Sequence, residues 1–244
     1  MTENAPEVTE SPDSDLDRPP VLRNRNFLLL WLGQLVSQLG DRVHAIALMW
    51  WVLEKTGSAA LMGTVLIFAT VPAVALGAFA GGYVDRWNRK AVIAGMDFVR
   101  GVAVLIVAVL ALRGTLEVWQ ILVATAFSSA ASVFFGPAVQ ATIPNLVRRS
   151  EITRANSLSQ MTVQSTGIVG PALGGILVGF WGVGGVFLLN GLSFLVSGVS
   201  ELFISVPPTG GAGGERKHIL AELRDGFRFV RGRPTVFGIL RVAA

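Results

Sequence analysis

The chain has 244 residues, 52% of them hydrophobic and only 15% charged, and its mean hydropathy is +0.59. Water-soluble domains carry about a quarter charged residues, so lipid is the expected solvent. The net charge of +4 does not point to nucleic acid, because the basic residues fall in short segments between apolar runs.

The absence of cysteine excludes a disulfide framework, a thiolate nucleophile and a Cys-based metal site. His44 and His218 are too far apart for a metal-spaced pair. No cofactor motif and no zinc-protease, serine-hydrolase or phosphate-loop pattern is present, so an enzyme lacks its residues.

Residues 1–21 are acidic and rich in proline, and they read as a disordered cytoplasmic tail. They have neither the basic start nor the apolar core of a signal peptide. A membrane helix needs about 20 mostly apolar residues. Six segments meet that need, at about 27–53, 59–82, 91–112, 117–139, 159–180 and 183–206, making a six-helix domain over 22–206. Short connections favour antiparallel neighbours, and no segment alternates with the period of two that a β-barrel requires.

After Val206, Pro207 and Pro208 stop the sixth helix. Residues 207–233 form a cytoplasmic linker in which Ile219, Leu220, Leu223, Phe227 and Val230 recur at the spacing of an amphipathic helix. Residues 234–244 read as the start of a seventh span.

Lysine and arginine set the direction of insertion. With the N-terminus cytoplasmic, 15 basic residues fall inside, whereas Lys55 and Arg113 fall outside. That asymmetry satisfies the positive-inside rule. Trp31 and Trp50 lie roughly 28 Å apart along a helix, close to the hydrocarbon thickness of about 30 Å. Together with Trp51, Trp87, Trp119 and Trp181 they are expected to form interfacial belts.

Polar residues inside the spans are candidates for function. Asp41 falls about 15 Å beyond Trp31, near the midplane, where a charge is costly and is expected to face the bundle interior. Gln34, Gln38 and Asp41 share one helix face, with Arg42 and His44 as neighbours. Asp97 and Arg100 are three residues apart and can pair. Each group reads either as a structural ion pair or as part of a coupling or substrate cavity, to which Gln164 and Asn190 could contribute. Glu201, near the inner end of span six, is expected to snorkel to the interface.

Two stretches carry more specific patterns. The loop after span two reads Gly81-Gly82-Tyr83-Val84-Asp85-Arg86-Trp87-Asn88-Arg89-Lys90, and span five holds Gly167, Gly170, Pro171, Gly174 and Gly175. By themselves, a basic loop signals topology, and Gly170 and Gly174 form a small-residue packing face beside a proline that bends the helix. The loop resembles the conserved loop of the major facilitator superfamily, matching at Gly81, Asp85, Arg86, Arg89 and Lys90. Asn88 stands where that family has glycine, and is expected to take a left-handed turn.

Span five resembles the antiporter motif of the same superfamily. Residues 154–158 and 222–230 are similar to segments of its drug- and siderophore-efflux branch. The resemblance implies an all-α membrane protein, the six-helix N-terminal half of a bundle built on a three-plus-three repeat. It implies a gating role for the loop, a bendable fifth span, and proton- or sodium-coupled export of a drug-like or siderophore-like small molecule across a bacterial-type inner membrane. It also implies a second half, a missing C-terminal portion or a second copy. The alternative is a half-size module that does not transport by itself.

Overall fold

The computed structural model describes residues 19–84 and 87–205. The expected tail over 1–18, and the linker, amphipathic helix and seventh span beyond 206, lie outside them. The described residues form long helices and no strand: α1 (Arg25–Thr56), α2 (Ala59–Val84), α3 (Arg89–Leu112), α4 (Val118–Leu146) and α5 (Ile152–Leu202). Four stretches are long and apolar enough to cross a membrane: Ala59–Gly77, Arg89–Leu112, Val118–Leu146 and Arg149–Leu202. The run of Gln34, Gln38, Asp41, Arg42 and His44 keeps α1 off that roster.

α5 is two helices in one run. Gly182 breaks it with φ 66° and ψ 174°, a left-handed conformation that glycine adopts without a Cβ penalty. Contacts with α1 establish the reversal there. In the first arm (152–181), Thr162 meets Trp31, Gly170 meets Arg42 and Gly174 meets Ile46, ascending α1. In the second arm (183–202), Asn190 and Ser193 meet Gly40, and Ser197 and Ser200 meet Gly33, descending it. The arms therefore run antiparallel, with α1 against both.

Sequence-encoded caps fix the helix ends. Asn24 Oδ1 accepts from the backbone N–H groups of Asn26 (3.0 Å) and Phe27 (3.2 Å), while its Nδ2 donates to Leu146 O at 2.5 Å. One buried side chain thus starts α1 and ties it to the end of α4. Asn24→Ala removes a cap worth about 1 kcal/mol and a buried hydrogen bond worth about as much. Thermal denaturation in detergent should show a loss near 2 kcal/mol, with Asn24→Asp, which keeps only the cap, falling between. An alanine variant that melts with the parent protein would refute this role.

At the same end, Asn26 and Ser205 exchange hydrogen bonds of 3.1 Å. Val21 is fully buried and its N–H donates to Glu151 Oε2 at 2.9 Å, so the packed domain reaches back into the expected tail.

The helices also outrun their apolar stretches. α4 continues past residue 139 to Leu146, and α5 begins at Ile152 rather than near 159. Polar side chains support the extension: Thr142 Oγ1 donates to Ala138 O at 2.7 Å, and Asn145 Nδ2 and Arg89 Nη1 each reach Ala141 O at 3.0 Å.

Two apolar cores stack along the bundle. One gathers Phe27, Leu30, Val92, Ile93, Ile143, Leu146 and Ile204. The other gathers Ala47, Val52, Val65, Val107, Ile121, Val186 and Phe187. Between them, at mid-length of α1, lies a polar layer of Gln34, Ser37, Asp97, Arg100, Asn190, Ser193 and Ser197, all buried. Trp31 is half-buried with its Nε1 donating to Thr162 Oγ1 at 2.9 Å, so it packs between helices and is no free interfacial anchor. Trp50, Trp119 and Trp181 are exposed.

Candidate functional site

The polar layer opens on one side into a cavity of about 450 Å³ enclosed by α1 to α4 and floored by the second arm. Asp41 and His44 face it from α1, Arg100 from α3, Asn190 and Phe194 from the second arm, and Ala69 and Ala73 from α2. α4 contributes Thr125, Ser128, Ser129 and Ser132. Their spacing of three, four and seven places the four hydroxyls on one helix face. Ser129 Oγ donates to Ala69 O at 2.5 Å and closes the wall between α4 and α2.

An ion pair is the centre of the site. Arg100 Nη2 lies 2.5 Å from Asp41 Oδ2, and Nη1 lies 3.5 Å from Asp97 Oδ1. The guanidinium stacks over Phe194, 4.0 Å from the ring centre. Asn190 Nδ2 approaches Asp41 Oδ1 at 3.5 Å, and Ser193 Oγ donates to Asn190 O at 2.8 Å. Gly40 allows this approach, because a Cβ there would lie 2.5 Å from Asn190 Oδ1.

The two acids differ in access. The Asp41 side chain is 40% exposed in the cavity, whereas that of Asp97 is 0% exposed. Arg100 thus stands between a carboxylate that faces the cavity and one that is fully buried. His44 packs 4.5 Å from the Phe187 ring, and its buried Nδ1 has no hydrogen-bond partner.

Of the expected cavity residues, the structure brings together Asp41, Arg100 and Asn190. Asp97 stands behind them. Gln34 is buried and accepts from Gln38 Nε2 at 3.5 Å, and neither glutamine lines the cavity. Arg42 is exposed and crosses Gly170, and Gln164 is exposed on the first arm, so both point away from the cavity. Glu201 does not snorkel. It is 1% exposed, because Lys90 and Ile93 of α3, Thr142 of α4 and Ile204 close around it.

In the loop pattern, Asp85 and Arg86 lie outside the described residues. Gly81 falls within α2, and Arg89 and Lys90 open α3. Asn88 is not left-handed. With φ −66° and ψ 106° it is the N-cap of α3, its Oδ1 accepting from the Ala91 N–H at 3.2 Å. In the span-five pattern, Gly170 and Gly174 pack against α1, whereas a Cβ at Gly167 or Gly175 would meet nothing within 4 Å. Pro171 is exposed.

Two further signals are written in the sequence. One is the hydroxyl stripe of α4. The other is a small-residue seam in which Gly33, Ser37 and Gly40 of α1 face Ser193, Ser197 and Ser200 of the second arm at matching spacings of three and four.

Residues 19–244 match the family described as transmembrane secretion effector. The chain belongs to this family, within the major facilitator superfamily. It is similar to macrolide efflux protein A of Streptococcus pyogenes, with 25% identity over 88% of this chain and 54% of the relative. It also resembles the uncharacterized MFS-type transporter YfiS of Bacillus subtilis (27%, covering 88% and 52%). A third relative is the multidrug efflux pump Tap of Mycolicibacterium fortuitum (28%, covering 86% and 53%). The chain thus spans about half the length of these curated relatives. The chain is a multi-pass integral membrane protein whose described residues form helices and no strand.

Proposed function

We propose that the chain is the first half of a secondary exporter that couples proton entry (or sodium entry) to expulsion of a drug-like or siderophore-like molecule. In this reading the helices make six spans, because Gly182 divides α5 into two antiparallel arms and α1 shelters its polar residues inside the bundle. A three-plus-three repeat is supported by the pairing of helices: α1 packs on both arms of α5 as α4 packs on α2 and α3. The bias of basic residues supports an N-terminus on the cytoplasmic side of the cell's inner membrane.

The carrying observation is the half-exposed Asp41, held at mid-depth by a buried arginine that a second acid also claims. Protonation of Asp41 from the cavity neutralises one partner of Arg100 and shifts the cation toward Asp97, a local electrostatic change that biases helix positions. The cavity, apolar apart from the hydroxyl stripe, this pair, His44 and Asn190, holds the substrate. Asp85 and Arg86 act as the loop latch, and the first arm with Pro171 bends as the halves rock. Alternating access requires a second half, covalent or a second copy, against the face where Arg42, Ile168 and Phe180 are exposed.

The test is Asp41→Asn in the complete transporter reconstituted in liposomes. Dye or drug movement driven by a proton gradient is expected to cease while the protein still folds. Undiminished gradient-driven export removes Asp41 from coupling.

A further inference from the structure

Behind the Asp41–Arg100 pair, a second acidic pair is sealed from both the cavity and the surroundings. Asp97 of α3 is 0% exposed and Glu201 of the second arm 1%. Ser197, also fully buried, stands between them. Its Oγ donates to Glu201 Oε1 at 3.4 Å. One oxygen of each acid, Asp97 Oδ2 and Glu201 Oε2, is buried without a hydrogen-bond partner.

The charges around this pair do not balance. Arg100 faces Asp97 from the same helix, but its other arm is engaged by Asp41 of α1. Glu201 makes no ion pair among the described residues. Lys90 of α3 and Thr142 of α4 line with it a void of about 10 Å³, room for a single water. Three carboxyl groups therefore share one buried guanidinium. An uncompensated carboxylate in such surroundings is so costly that the group is neutralised instead.

We propose that Glu201, supported by Ser197 and Asp97, is a buried proton-holding site on the sealed side of the midplane ion pair, linked to Asp41 through Arg100. The proton resides on Glu201 while Arg100 is divided between Asp41 and Asp97. When Asp41 is neutralised, Arg100 moves fully onto Asp97, and the Asp97 charge that had favoured the Glu201 proton is cancelled. Release breaks the Glu201 O–H bond and passes the proton, by way of the void lined by Lys90 and Thr142, to bulk water at the end of the bundle where Lys90 opens α3. The site's role in transport rests on the proton-coupled reading above; the presence of the held proton does not.

Infrared spectroscopy of the complete transporter in lipid at neutral pH tests it. The parent protein should show the carbonyl stretch of a protonated carboxylic acid, shifted on exchange into D2O. The band should vanish in Glu201→Gln, weaken in Asp41→Asn, whose permanently neutral side chain frees Arg100 for Asp97, and change frequency but survive in Ser197→Ala. A parent protein with no such band overturns the proposal, as does a band that survives Glu201→Gln. Because the readout needs no transport, a band in the parent protein beside unimpaired Asp41→Asn export sinks only the coupling role of Asp41. Loss of export without the band sinks only the Glu201 site.

Discussion

Arg100→Leu is expected to leave little folded protein in detergent, and a second change, Asp97→Asn, in the same chain should recover most of it. The asymmetry follows from exposure. Removing the cation strands two acids, but Asp41 can be hydrated from the cavity, whereas Asp97 has no access to water. Breaking a buried pair from one side costs about 3 to 5 kcal/mol, a large part of a total stability of about 5 to 15 kcal/mol. Asp41→Asn in the Arg100→Leu background should rescue far less.

Arg100→Lys should fall between, because an ammonium cannot bridge two carboxylates as a guanidinium fork does. It also loses a stack on Phe194, 4.0 Å away, worth about 0.5 to 2 kcal/mol. Size-exclusion profiles and thermal midpoints report all four variants. Equal rescue by the two asparagine changes would show that Asp97 is not the acid that depends on Arg100.

Gly40→Val carries the second large effect. The added Cβ would stand 2.5 Å from Asn190 Oδ1 and 3.2 Å from Ser193 Cβ. Both neighbours are short side chains fixed by their own hydrogen bonds, so neither can swing aside. Overpacking of this kind costs about 1 to 3 kcal/mol, and separating α1 from the second arm also pulls Asn190 from Asp41. The variant should lose thermal stability and gradient-driven export together. Gly63→Ala, where a Cβ meets nothing within 4 Å, is the control and should leave both unchanged. A Gly40→Val protein as stable as that control would contradict the tight crossing.

How far the sequence reveals this arrangement depends on the distance over which each feature is encoded. Apolar runs and local caps are legible, since residues a few positions apart write them. The Asp97–Arg100 pair was readable for the same reason. Asp41 meeting Arg100 was not, because 59 residues separate them and only tertiary packing brings them together. Gln164 shows a related difficulty. Polar residues recur all round its part of the helix, from Thr153 to Thr166, so periodicity gives no inward face, and the residue turns out to be exposed.

Glu201 was misread because position near a helix end favours snorkelling, while the closing residues come from α3 and α4. At Asn88 the likeness to a glycine turn misleads, because its side chain caps α3 by accepting from the Ala91 N–H, a hydrogen bond for which glycine has no side chain.

The polar layer has a consequence for biosynthesis. α1 is translated before the helices that hold its partners, and it is not among the four stretches apolar enough by themselves to cross a membrane. Its charge partner is encoded 59 residues later, and Asn190 follows Asp41 by 149. At about 5 to 20 residues per second, the ribosome delivers Arg100 roughly 3 to 12 s after Asp41. During that interval Asp41 has neither Arg100 nor Asn190 to pair with, so its polar face is satisfied only once α3 and the second arm arrive. Mutations at Arg100 would then act on the nascent chain first, as failed integration and degradation, before any finished transporter existed to be tested.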